Sequence, residues 1–329
     1  MTVTSPRPFT WADGDRTIRF GAGAGEHAWP GADLLSTPRA RASMPPGLRD
    51  GWRSVHDVPA GQVADVAAAL VGAVGDGPIV AWGGGRVIDT AKALAAARGG
   101  RVCAVPTTLS GAEMTGGHRL VPGYEQRGRH RPVLVLADPA LMTGQPDPDR
   151  RASAMNALAH AAEALYGPAR NPVASMVAAA AAGMIARGLA EQAPDAGDRL
   201  ALGALLSAYA MDSAGYSLHH VLCQTIVRMC ATPHAATNAA MLPHVLRTMR
   251  GREPAAVTAL AAALDVPADG VAERVAVLGD ASSLQALGVD GDALGAVADA
   301  ALDRSELRGM TPPPDRDELL SLLRQAYRG

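Results

Sequence analysis

From Gly77 to Ala97 the chain reads Gly-Pro-Ile-Val-Ala-Trp-Gly-Gly-Gly-Arg-Val-Ile-Asp-Thr-Ala-Lys-Ala-Leu-Ala-Ala-Ala, and no other stretch limits the fold as much. The apolar run Ile79 to Trp82 reads as a buried strand. It stops at Gly83, Gly84 and Gly85 and passes into Val87–Ala97, a run of helix formers without a breaker. Strand, glycine turn and helix start, in that order, build an anion site. Glycines let the backbone pass close to a phosphate, and the free amides of a helix N-terminus point at it. A second strand-like run, Val102 to Val105, ends in Pro106-Thr107-Thr108-Leu109-Ser110-Gly111-Ala112-Glu113. Three hydroxyls and a further glycine therefore stand at a strand's C-terminal end, where open α/β sheets bind ligands. A glycine triplet alone also fits a plain tight turn; the two loops together favour a nucleotide or phosphate site.

Around this stretch the first half alternates strands and helices. Thr17 to Phe20 alternates like a strand, Ala32 to Pro38 looks like another short one, and Gly61 to Val74 has apolar residues at helical spacing. The region 39–59 carries three prolines and scattered charge and has no room for a full helix. Pro132 to Pro139 encloses a further buried strand. This pattern predicts a parallel, Rossmann-like α/β domain over residues 1–149. From 150 to 329 the pattern is helical throughout, with helices expected over Arg151–Tyr166, Pro172–Ala190, Arg199–Met211, Leu218–Cys230 and Ala235–Met249, and four more near 253–264, 269–278, 291–304 and 315–327. An all-helical second domain follows, with the cleft expected between the two.

Composition narrows the class. A chain of 329 residues exceeds the size at which one core stops growing. Its net charge of -2 gives no basic surplus for nucleic acid or an anionic membrane, and 3% aromatics leave little for base stacking. The three cysteines, Cys103, Cys223 and Cys230, form neither a disulfide framework nor a metal knuckle. The N-terminus lacks an apolar leader, and the alanine-rich run Val177 to Ala186 reads as too short and too weakly apolar to span a bilayer. A cytoplasmic protein acting on a small molecule is expected.

The helical half sets polar rings and amides in apolar helices at three places. Asn156 and His160 are four apart on one helix face, as are His220 and Gln224, and His234 follows Pro233 at a helix start. A lone histidine on an apolar face is usually a satisfied core residue. Three such places in neighbouring helices point instead to a site, since converging imidazoles bind a metal or handle a proton.

GGGRVIDTAKA, PTTLSGAEMT, MNALAHAAEALYGPARNP and LHHVLCQTIVRMCATPHAATNAAMLPHVLR resemble the iron-containing alcohol dehydrogenase superfamily, of dehydroquinate-synthase-like fold, and most of all its maleylacetate reductase branch. The resemblance implies a homodimer using NADH or NADPH for hydride transfer to a small carboxylate-bearing carbonyl or enone. Gly83, Gly84 and Gly85 would cradle the cofactor pyrophosphate, with Arg86, Asp89 and Lys92 nearby. Thr107, Thr108 and Ser110 would line the cofactor from the facing loop, and Thr37 would approach its adenosine end. In the metal-dependent members an aspartate and three histidines hold iron or zinc; Asn156, His160, His220 and His234 match those positions. The asparagine resembles the metal-free maleylacetate reductases, and an amide oxygen is a poorer ligand than a carboxylate, so no metal is expected. His220 or His234 would supply or orient the proton, and Asn156 and His160 would bind substrate, together with Gln224 and Arg228.

The chain also departs from the family. Arg86 replaces a small serine and either grips an extra phosphate, as on NADP, or plugs the pyrophosphate site. Residues 39–59 are shorter than the family's strand–helix–strand piece, Gln224 replaces a histidine and Ala112 a serine. Arg228 either faces the substrate or is an ordinary surface charge. A redox-inactive relative performing acid–base chemistry with the same histidines is therefore the alternative reading, and a non-catalytic binding protein the third.

Overall fold

A computed structural model describes residues 6–125, 128–190 and 193–329. The chain divides into two compact units, Met1–Gln145 with Ala193–Leu205, and Pro146–Gln192 with Leu206–Gly329. This differs from a single cut after residue 149. In that segment Gly197 lies so close to Thr143 of the first unit that an added Cβ would be 3.2 Å from its hydroxyl.

The first unit is built on a seven-stranded sheet: β1 (Phe9–Asp13), β2 (Arg16–Phe20), β3 (Asp33–Ser36), β4 (Ser54–Asp57), β5 (Ile79–Gly83), β6 (Val102–Pro106) and β7 (Leu134–Ala137). Their order is β1-β2-β7-β6-β5-β3-β4, with only the β1–β2 pair antiparallel. Strands β5 and β6 are buried at every residue, as uninterrupted apolar runs in a parallel sheet should be. Successive residues point to opposite faces: Leu35, Ala81 and Ala104 join one core cluster, Leu34, Val80, Cys103 and Val105 the other. Helices α1 (Pro38–Ala42), α2 (Val63–Leu70) and α3 (Gly85–Arg98) connect the strands, and α4 (Pro139–Met142) follows β7. The 39–59 region thus holds a minimal helix–strand piece, α1 followed by β4, where no strand was expected. β4 is short, and only alternate residues are partly covered, so its apolar signal is weak.

Register places the functional loops. Ser36 pairs with Trp82, and Gly83 with Pro106, so β3, β5 and β6 end at the same edge of the sheet. The chain runs outward from β3 to β4, then returns to β5 on the other side of β3. The loops after β3 and β5 therefore flank a topological switch point, the usual ligand crevice of such sheets.

The second unit contains α5 (Asp147–Tyr166), α6 (Pro172–Ala190), the end of α7 (Ala196–Ala214), α8 (Leu218–Cys230), α9 (His234–Arg252), α10 (Pro254–Leu264), α11 (Val271–Gly279), α12 (Leu294–Leu302), α13 (Ser305–Arg308) and α14 (Arg316–Arg328). Helix α5 packs between α6 and α9, and its residues from Ser153 to Tyr166 are all buried. The alanine-rich run proves part of a 19-residue helix, α6, whose mean hydropathy of 1.6 makes it long and apolar enough to cross a membrane by length and composition. That corrects the expectation from the run alone; half of this window is buried inside the protein, where small residues let α6 lie close to α5.

Candidate active site

In the first unit the glycines are required by close approach. A Cβ on Gly84 would lie 2.9 Å from the Thr108 methyl, and one on Gly85 would lie 3.1 Å from the Ser110 side chain. The two loops foreseen from sequence are therefore in contact, joined also by the Thr107 N–H donating to Gly83 O at 3.0 Å. Helix α3 starts at Gly85 with no side-chain cap and no acidic residue in its first turn, so its N-terminal amides remain available to an anion. The Thr108 hydroxyl is buried and has no hydrogen-bond partner. A phosphate-bearing cofactor fits this cradle: it supplies the acceptors that the amides and the hydroxyl lack.

The remaining residues expected around it divide. Arg86 is exposed in the first turn of α3, outside the glycine cradle's buried shell. Lys92 is wholly buried and committed within the protein, its ammonium donating to Asp89 at 2.7 Å, Ala112 O at 3.0 Å and Thr115 at 3.3 Å. Lys92 and Asp89 thus tie α3 to the facing loop. The Thr37 hydroxyl caps α1, accepting from Ala40 N–H at 3.2 Å.

In the second unit three of the expected residues cluster, with two that sequence reasoning passed over. Asn156 and His160 on α5 lie one turn apart, amide nitrogen to His160 Nε2 at 3.5 Å. His160 and His220 stack with centroids 4.8 Å apart and planes at 25°. The unforeseen partner is Glu163, on the next turn of α5 and 0% exposed. Its Oε1 accepts the backbone N–H groups of Ser217 at 3.0 Å, His219 at 2.9 Å and His220 at 3.3 Å. Helix α8 has no cap of its own at Ser217, and the Glu163 carboxylate supplies one. Its Oε2 is hydrogen-bonded to His220 Nδ1, and the buried His220 Nε2 has no hydrogen-bond partner. His219 is the second unforeseen member: its Nε2 donates to Asn238 Oδ1 at 2.9 Å, and the Asn238 amide reaches His234 Nε2 at 3.3 Å. His234 itself is exposed at the start of α9, unlike the buried imidazoles.

Burial and then the neighbouring rings hold His160 well below the ordinary imidazole range, and burial brings His219 and His220 down to about 3. All three are neutral at physiological pH. Burial raises Glu163 against the pull of His219 and of the three amides. Gln224 is half-buried one turn beyond His220, and Arg228, another turn on, is exposed.

Among the described residues no group of three or more His, Cys, Asp or Glu is placed to hold a metal ion. Of the positions matched to the family's metal ligands, Asn156 brings a neutral amide oxygen, a poorer ligand than a carboxylate, and His160 and His220 stack against each other.

Residues 151–327 match the C-terminal domain of the Fe-containing alcohol dehydrogenase family. The chain is 35% identical over 278 residues to maleylacetate reductase 2 of Cupriavidus pinatubonensis, covering 77% of each protein. It is 32% identical over 321 residues to the maleylacetate reductase of Delftia acidovorans, covering 90% of this chain and 89% of that one. The solved structure of maleylacetate reductase from Agrobacterium tumefaciens superposes with a TM-score of 0.80 at 29% identity, over 98% of this chain and 99% of that one. These relatives favour hydride chemistry over the redox-inactive alternative, and the α/β plus helical architecture matches theirs. The chain belongs to the Fe-containing alcohol dehydrogenase family and is an oxidoreductase.

Proposed function

We propose that this protein is a metal-independent NAD(P)H-dependent reductase of a small carboxylate-bearing carbonyl or enone, with maleylacetate the substrate suggested by its relatives' names. One observation carries the reading: a buried neutral imidazole, His220, held at Nδ1 by Glu163 and left open at Nε2. A nicotinamide, when bound, supplies the hydride. The cradle of Gly84, Gly85 and Thr108 would hold its phosphates, and exposed Arg86 would favour the extra phosphate of NADPH.

The proton is the work of the Glu163–His220 pair. Carrying two protons between them, the pair places one on Nε2, facing substrate, and the other between Oε2 and Nδ1. Delivery of the Nε2 proton leaves one shared proton, a carboxylate and a neutral ring, so no unstable imidazole anion forms. Asn156 and His160 hydrogen-bond the substrate, and His219 with Asn238 steadies His234. A cytoplasmic homodimer, with neither nucleic acid nor membrane as partner, is the setting we propose; the near-neutral charge speaks against nucleic acid, and the free cysteines suit a reducing compartment. Chelator-treated protein supplied with NADPH and maleylacetate should oxidise the cofactor at an undiminished rate. Activity that vanishes with chelator and returns with zinc or iron would reject metal independence.

A further inference from the structure

Gln224 follows His220 by one turn of α8, so the two side chains share a helix face. Its amide does not hang free. Arg304, in the loop after α12, donates from Nη2 to Gln224 Oε1 at 3.1 Å. The same nitrogen reaches the Tyr216 hydroxyl at 3.3 Å and Glu306 Oε1 at 2.8 Å, while Arg304 Nε donates to Glu306 Oε2 at 3.2 Å. Tyr216 donates to Glu306 Oε1 at 2.8 Å, and its ring leans on His220 with centroids 6.1 Å apart. Four side chains from the loop before α8, from α8 itself and from the α12–α13 segment therefore close on one another beside His220.

A guanidinium only donates, so the amide facing it must present oxygen. The Gln224 NH2 is thereby turned away from Arg304, with two N–H donors to offer. The charge of Arg304 is spent locally: its hydrogen bonds hold the Glu306 carboxyl down to about 2, so Arg304 and Glu306 form a neutral pair at any working pH. Such a pair orients; it does not attract an anion by itself. We propose that Arg304 and Glu306 are positioning residues that lock Gln224 with its NH2 toward the ligand, making Gln224 the donor for a substrate carboxylate next to His220. This deepens, and rests on, the reading of the histidine cluster as the site for an acidic substrate.

The test is equilibrium binding of maleate and of its neutral dimethyl ester to the full chain, by calorimetry, alongside turnover of maleylacetate. Gln224→Glu keeps an oxygen for Arg304 and replaces the donor with a negative oxygen. It should weaken maleate binding about ten- to a hundredfold while leaving the ester and NADPH unaffected. The double variant Arg304→Met/Glu306→Gln removes the clamp without stranding a charge. It should raise KM for maleylacetate several-fold with kcat nearly unchanged, because the amide is then free to turn. Maleate bound equally well by wild type and Gln224→Glu, or not bound by wild type at all, would overturn the assignment. Gln224-dependent maleate binding without maleylacetate turnover would sustain it and reject the reductase reading instead.

Discussion

Replacing Glu163 with glutamine separates the two tasks of that side chain. The amide oxygen can still accept the three N–H groups of Ser217, His219 and His220, so the start of α8 stays capped. The other position becomes NH2, which donates to His220 Nδ1 and confines the ring's only proton to Nε2. Giving that proton away would now leave an imidazole anion, because the amide has none to return. General acid catalysis is abolished rather than weakened, and kcat should fall by about 10²–10⁴. KM and NADPH affinity should hold. The melting temperature at pH 8 should not drop, because a wholly buried carboxyl has been made permanently neutral. Steady-state reduction of maleylacetate, with melting followed by circular dichroism, reads both. A kcat within threefold of wild type would refute the proton path, and so would a kcat loss that merely tracks unfolding.

Three further outcomes follow from the first unit. Glu113 is 0% exposed with neither carboxyl oxygen hydrogen-bonded to another side chain, and burial pushes it from 4.5 up to about 7. A raised acid stabilises the fold below pH 4.5 and loses that contribution as pH climbs to 7. At about 1.4 kcal/mol per pH unit the loss is about 3 kcal/mol. Glu113→Gln should therefore flatten the decline of unfolding free energy between pH 4.5 and 7; denaturant curves parallel to wild type would contradict this. Gly84→Val should weaken NADPH binding at least about tenfold, since its Cβ would already sit 2.9 Å from Thr108 and the loop must open. Arg86→Ser should cost about tenfold in NADPH affinity and little in NADH affinity, measured by nicotinamide fluorescence.

Much of this was legible in the sequence because the signals were local. Strand β5, the glycine turn and α3 stand within twenty residues, and α6 and α8 begin and end where their apolar periodicity does. Strands β1 and β4 escaped because half-covered strands of four or five residues carry no apolar run. Glu163 escaped for a different reason. It was visible one turn after His160, yet its meaning lies in contacts 54 to 57 residues away, which no helical spacing reports. Lys92 shows the converse: a lysine beside a glycine turn reads as a phosphate ligand, but its three hydrogen bonds within the fold already occupy it. Gln224 read as the loss of a titratable group, and only Arg304, 80 residues on, reveals which end of the amide is presented.

The most direct measurement is a single-turnover reaction of chelator-treated protein loaded with NADPH and mixed with maleylacetate, followed by nicotinamide absorbance. The account expects saturable NADPH binding and then oxidation of the bound cofactor in one phase, without added metal. Failure to bind either NADH or NADPH, or a bound cofactor that stays reduced until zinc or iron is restored, would contradict it.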